Sequence, residues 1–284
     1  MKKLFSIFLI LACFLGVQAQ QSGVFQPGDY KDGIYDKENS TNRRYIPYTH
    51  LREGDVTWQK RVWRTVDMRE KINQQLYYPI TDVASRVSLV QVITRGILSG
   101  KIIAFDDQEF LEPLEISEWR NNFIKPADST ETPSYDSLGN EVLIKVLKPA
   151  DSTWFYENFC GLEIKEDWFF DKQKSTLEVR IVGLGMSFLP KDKEDAGCQT
   201  FYWVYFPACR PQFAKNEVFN PRNDSERRTF EDIFWKRQFS STIKKESNAF
   251  DRRIDQYARG LDALLESDRV KGDIFRWEHD LWQF

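Results

Sequence analysis

Between Asp55 and Gln75 the apolar residues Trp58, Val62, Val66, Ile72 and Leu76 recur mostly at helical spacing, which predicts a helix ending before Tyr77-Tyr78-Pro79. A cap at Thr81 or Asp82 opens a second predicted helix, with Val83, Val87, Val90, Ile93 and Ile97 on one face and Gly100 as its stop. Lys101 to Phe105 reads as a short strand turning at Asp106-Asp107, and Ser117 to Phe123 as one or two helical turns. The pattern then changes. Leu162 to Phe170, Ser175 to Val182 and Thr200 to Phe206 are dense in β-branched and aromatic residues and predict an antiparallel β meander, with Lys191 to Gly197 as a charged loop. From Ser225 the helical period returns at Phe230, Ile233 and Phe234. It continues through Ile243, Phe250, Ile254, Tyr257, Leu261, Leu264 and Leu265, then Val270, Ile274, Trp277 and Leu281. Helices on either side of a segregated β region predict an α+β fold rather than alternating βαβ units.

Two stretches carry no such period. Residues 20–53 are rich in Gly, Asp, Asn, Tyr and Lys and are expected to form an extended N-terminal arm, mobile or laid along a surface, its own or a neighbour's. Residues 125–153 hold the hexapeptide Lys-Pro-Ala-Asp-Ser-Thr twice, at 125–130 and 148–153, around the weakly alternating Val142 to Leu147. Two copies are too few for a repeat architecture, so this tract is expected as a loop-rich insertion in a single α+β domain spanning 54–284.

The first residues bear on the compartment. Lys2 and Lys3 precede an apolar run from Leu4 to Leu15 and the small-residue site Val17-Gln18-Ala19, the plan of a cleavable signal peptide over 1–19. A spanning helix needs about 20 apolar residues, more than this run offers. Ile10-Leu11-Ala12-Cys13 offers a rival, lipid-modified start at Cys13. The expected location is the periplasm, peripheral to the outer membrane. The formal net charge of −3 becomes more negative once the two leader lysines are removed. The basic doublets Arg227-Arg228, Lys236-Arg237, Lys244-Lys245 and Arg252-Arg253 step by eight or nine residues and so make no helical stripe. A nucleic-acid partner, which needs a concentrated basic face, is not expected. Nine Trp, 11 Tyr and 22 Phe suffice for a sizeable core and suit contact surfaces as well.

Of the cysteines beyond the leader, Cys198 and Cys209 flank a predicted strand that would hold them about 36 Å apart. Any bridge is therefore expected to use Cys160, with Cys198 or Cys209, although all three also fit buried small hydrophobes. His50 and His279 are the only histidines, and no HExxH, CxxC, GxGxxG, GxxxxGK[ST] or GxSxG occurs, so no metal, cofactor or small-molecule substrate is expected. Gly183-Leu184-Gly185 reads as a bend or bulge, and His279 as a cation at a helix C-terminus. Numerous Asp and Glu residues leave one enzymatic alternative, a periplasmic carbohydrate-binding or glycoside-cleaving protein with a Trp-lined cleft and paired carboxylates.

Three groups of blocks carry a resemblance. The first is Arg61-Val-Trp-Arg64, Asp67-Met-Arg-Glu-Lys71 and Tyr77-Tyr-Pro79. The second is Glu166-Asp-Trp-Phe-Phe-Asp171, Val179-Arg-Ile181 and Phe201-Tyr-Trp-Val-Tyr-Phe-Pro207. The third is Lys236-Arg-Gln-Phe-Ser-Ser241, Lys245-Glu-Ser-Asn248, Asp251-Arg252, Gly260-Leu-Asp-Ala-Leu-Leu-Glu266 and Glu278-His-Asp-Leu-Trp282. In order and rough spacing these resemble the GldN/PorN family of gliding-motility and type IX secretion proteins. The resemblance implies a non-enzymatic periplasmic subunit of an outer-membrane-associated ring, a hetero-oligomer with a GldK/PorK-like lipoprotein that also meets a GldM/PorM-like periplasmic domain. It supplies no catalytic residue. Candidate partner-binding side chains are Trp58, Trp63, Arg64, Arg69, Trp277, Trp282 and Phe284.

Overall fold

A computed structural model describes residues 42–81, 83, 86–123, 128–135, 141–148, 153–190, 197–223 and 225–280. The expected signal peptide, the arm before residue 42, Trp282 and Phe284 lie outside them. After a 3-10 turn at Glu53–Asp55 comes β1 (Val56–Asp67), then α1 (Gln74–Tyr77), α2 (Leu89–Leu98), β2 (Ala104–Phe105) and α3 (Ile116–Phe123). The chain continues through β3 (Asp128–Tyr135), β4 (Glu141–Lys148), α4 (Thr153–Glu157), β5 (Phe159–Asp171), β6 (Thr176–Phe188) and β7 (Gln199–Tyr205). It closes with α5 (Phe206–Phe213), β8 (Glu217–Val218), β9 (Arg228–Thr229), α6 (Phe230–Trp235), β10 (Thr242–Glu246), a 3-10 turn at Ile254–Gln256 and α7 (Leu261–Asp280).

The main sheet has six strands in the order β10-β1-β5-β6-β7-β2, antiparallel at every pairing. An α+β fold with a β5-β6-β7 meander therefore stands, but the meander is enlarged by strands from both ends of the chain. The helix expected over Asp55–Gln75 is β1 followed by the single turn α1. The cause is arithmetic: Trp58, Val62 and Val66 are four apart, and four is a multiple of the strand period as well as roughly a helical turn. The second helix begins later than expected, because Ser88 and Gln91 close a capping box that starts α2. Gly100 does end it, at φ 69°. Residues 242–246, expected within helices, add an edge strand to β1, and the C-terminal helix proper starts only at Leu261. Within the 125–153 tract the described residues form the antiparallel pair β3/β4, with Asp128 opposite Lys148. β6 runs past its expected end through the two glycines. A bulge shifts its register against β5 at Lys165/Glu166, and a Cβ on Gly183 would lie 2.4 Å from the Phe110 ring.

Register places Val66, Val62 and Trp58 of β1, the even residues Leu162 to Phe170 of β5, and Leu177, Ile181, Leu184 and Met186 of β6 on one face. Two hydrophobic clusters share it. The larger joins Val66, Leu162, Ile164, Leu184 and Met186 to α2, α5 and α6 through Ile93, Phe206, Phe213, Phe230 and Phe234. The smaller joins Val62 and Ile243 to Val270 and Ile274 of α7, with Trp58, Trp168 and Leu177 packed against it. Between them runs a polar strip. Glu166, fully buried, accepts from Arg237 Nη2 at 2.8 and 3.0 Å, and Arg64 donates through Nε to Ser241 Oγ at 2.9 Å.

The opposite face is laced with charge: Arg61 is bidentate to Asp167 at 2.6 and 2.8 Å, Lys244 pairs with Glu163, and Lys165 Nζ donates to Gln108 O at 2.8 Å. A disulfide joins Cys160 to Cys198 across a separation of 38 residues, while Cys209 is a buried free thiol whose pKa is pushed up by that burial. The extended path assumed between Cys198 and Cys209 is interrupted, since the strand gives way to helix at Phe206.

Candidate partner-binding surfaces

Arm residues Arg43 to His50 lie along the domain's own surface, and the reason is one buried guanidinium. Arg210 of α5 is only 1% exposed; Nε and Nη2 donate to Glu231 Oε1 at 2.8 and 2.6 Å, and Nη2 also donates to the arm carbonyl of Ile46 at 2.6 Å. Its plane lies against the rings of Tyr48, Tyr45 and Trp235 at 4.2, 4.9 and 5.3 Å, and Tyr48 in turn stacks on Trp235 at 5.8 Å. Arginine suits this position because it is flat, permanently charged and weakly hydrated, and the Glu231 carboxylate compensates the charge withdrawn from water. Burial raises the pKa of the Tyr48 phenol, opposed by the nearby Arg210 charge. Arg180 Nη2 holds Thr49 O at 2.9 Å, Lys174 Nζ reaches Thr49 Oγ1 at 3.1 Å, and Arg43 bridges Asp232 at 2.9 Å.

The arm thereby walls an open cavity of ≈ 390 Å³, lined on its other sides by Val179, Arg180 and Ile181 of β6 and by Phe234, Trp235 and Arg237. Beside it β6 pairs with β7 only from Gly183 onward, so among the described residues its stretch Thr176 to Val182 has β5 as its single neighbour.

The side chains nominated by the sequence are dispersed. Trp58 and Trp277 meet, stacked at 4.3 Å and 17°, with Phe170 edge-on to Trp277 at 5.8 Å; they seal the rim of the smaller cluster. Trp63, on the charged face, lies under Lys245 Nζ at 4.5 Å, and its Nε1 finds no acceptor among the described residues. Arg64 is 7% exposed, and desolvation lowers its pKa. Arg69 is exposed and bidentate to Asp67, whose carboxyl it holds below the usual range.

Apolar exposure lies elsewhere. On α7 the inward residues Ala263, Val270 and Ile274 pack toward the sheet. At about 100° per residue Leu261 and Leu265 fall on the opposite side and Leu264 on the flank, and the three stay 70%, 59% and 52% exposed in that order, while Phe275 turns edge-on to Trp168 of the sheet at 6.5 Å. A second open region, of ≈ 1000 Å³, is lined by Ile72, Tyr78 and Phe219 with Lys71, Arg222 and Arg228. The sequence placed Leu261, Leu264 and Leu265 on an apolar helical period without showing that the period serves two sides. Arg210, Tyr48 and Trp235 carried no local signal, because Tyr48 meets the other two across more than 160 residues.

Among the described residues no group of three or more His, Cys, Asp or Glu side chains is placed to hold a metal, and no helix is long and apolar enough to cross a membrane. The family model described as "Gliding motility associated protein GldN" matches residues 51–283. No curated protein matches the chain.

Proposed function

The chain belongs to the GldN family of gliding motility associated proteins, and from that premise we propose that it is a non-enzymatic periplasmic subunit of the type IX secretion and gliding machinery. In this reading it forms an outer-membrane-associated ring with a GldK/PorK-like lipoprotein and meets a GldM/PorM-like periplasmic domain.

The observation that carries the reading is the two-sided α7. Burying Ala263, Val270 and Ile274 already gives the helix its place on the sheet, yet its outer side keeps three largely exposed leucines. Three leucines grouped in the first turns of one helix and left largely exposed make an apolar patch of the kind that marks a protein contact. The carbohydrate alternative asks for a raised-pKa acid beside a second carboxylate. Asp67 and Glu157 line one cavity together, but the hydrogen bond from Arg69 holds the Asp67 carboxyl down, the wrong direction for a proton donor.

The test is co-purification from detergent-solubilised envelopes, comparing the natural chain with Leu261→Glu/Leu265→Glu. The natural chain is expected to bring down a lipoprotein, and the variant, folded by circular dichroism, to recover it at least about tenfold less, as expected when an interface anchor is lost. Recovery of the natural chain alone and monomeric overturns the reading.

A further inference from the structure

The cavity between the arm and β6 has a chemistry of its own. Its lining carries three cations, Lys174, Arg180 and Arg237, against one carboxylate, Glu178. Lys174 is committed to Glu178 at 2.6 Å, and Arg237 to Glu166 through Nη2. The two guanidinium groups nevertheless remain under-used. A guanidinium has five N–H donors. Arg180 donates to Thr49 O at 2.9 Å, reaches Glu178 only at 4.0 Å and keeps its side chain 21% exposed, and Arg237 stays 27% exposed beyond its pairing with Glu166. The Arg180 guanidinium also lies over the rings of Tyr48 and Phe169, at 5.0 and 5.1 Å, contacts that with the Thr49 hydrogen bond set its position before any ligand arrives. The remaining wall is apolar: Val179, Ile181, Phe206 and Phe234, with half-exposed Trp235 at the lip.

We propose that this cavity receives a carboxylate carried next to an apolar side chain on a partner polypeptide, the carboxylate held by Arg180 and the side chain laid against Ile181, Phe234 and Trp235. Pre-oriented arginines favour planar, bidentate oxyanions, and the apolar wall selects a carboxylate with a hydrophobic neighbour over a free inorganic anion. The arm is part of the receptor, because Tyr48 and Thr49 position Arg180. The proposal rests on reading the chain as a part that binds other proteins, but not on α7, so the two fail separately.

The experiment titrates the purified full chain with N-acetyl-leucine, which presents a chain-terminal carboxylate, with N-acetyl-Leu-Glu-amide, which presents a side-chain carboxylate, and with N-acetyl-leucinamide. Binding is followed by calorimetry and by the indole signal of Trp235 in tryptophan-labelled protein. At least one acid is expected to bind saturably and shift Trp235; which acid does so identifies the source of the carboxylate. The amide is expected to bind at least about tenfold more weakly, the range of a lost charge-assisted hydrogen bond. Arg180→Gln is expected to weaken the acid by a similar factor and Arg180→Lys by less, whereas Lys71→Gln in the separate basic region leaves it unchanged. Should Arg180→Gln fail to fold, Lys174→Gln replaces it, with a smaller expected loss. Equal binding of acid and amide, no shift at Trp235, or indifference to Arg180→Gln in folded protein overturns the proposal.

Discussion

The two ends of one sheet face solve the same problem with different margins. At the β7 end α2 supplies an aliphatic face and α5 and α6 an aromatic one to the cluster that holds Leu162, Ile164, Leu184 and Met186, with Phe213 in ring contact with Phe206, Phe230 and Phe234. At the β10 end a single helix lays Val270 and Ile274 over Val62, Ile243 and Ile254, and its other side faces solvent with leucines. The strip of Arg64, Glu166 and Arg237 separates them. One end is built by enclosure; the other holds a helix by a narrow seam and presents the rest of it outward. The first end is therefore expected to hold the stability, and the second is the proposed contact.

The largest effect belongs to the enclosed end. Phe213→Ala removes a fully buried ring from among three others and is expected to cost about 3–5 kcal/mol in denaturant unfolding. A loss of only about 1 kcal/mol would mean that the layer can collapse around the gap and is not the rigid half. Next comes the strip. Glu166→Gln leaves Arg237 without its anion and Arg64 without nearby compensation, for an expected loss of about 2–4 kcal/mol, discounted because Arg237 is 27% exposed. If the strip divides two cooperative units, this variant broadens the transition as well as lowering its midpoint.

How much of this division the sequence shows depends on periodicity. The meander strands were legible because β-branched and aromatic residues crowd there with no competing period. β1 was not, because apolar spacings of four satisfy helix and strand alike and only the partner strands decide. Residues 242–246 carry one inward apolar residue, Ile243, too little for any period, and become a strand because β1 offers an edge. α5 begins with Pro207 in its first turn and contains Pro211, which reads as a breaker although only one carbonyl, that of Pro207, loses its donor. The sites were less legible than the fold. Trp58 and Trp277 were nominated singly and turn out to be partners of each other, whereas the Arg210 clamp on the arm depends on a tertiary contact that no spacing encodes.

A smaller effect tests the narrow seam. Ile274→Ala, on the inward side of α7, is expected to cost about 2 kcal/mol, the low end for such truncations, because a helix at the sheet margin can settle into the space. Hydrogen exchange is expected to show α7 and β10 opening before the β5–β6 pair, with the variant enlarging that difference. Uniform exchange across both ends would remove the distinction.

The smallest effect is the most diagnostic. Leu265→Gln changes a residue 59% exposed on the outward side of α7, where replacing an apolar surface group ordinarily shifts stability by less than about 0.5 kcal/mol. Glutamine is as compatible with a helix as leucine to within a few tenths of a kcal/mol, so propensity does not mask the result. In purified monomer the expected midpoint is therefore that of the natural chain, while co-purification of the partner falls. These outcomes must occur together, because each alone has another meaning. An unchanged midpoint with unchanged recovery makes the leucine patch an idle surface. A loss above about 1 kcal/mol in the monomer makes α7 buried on both sides in solution, and the end of the sheet here assigned to contact then becomes a second core.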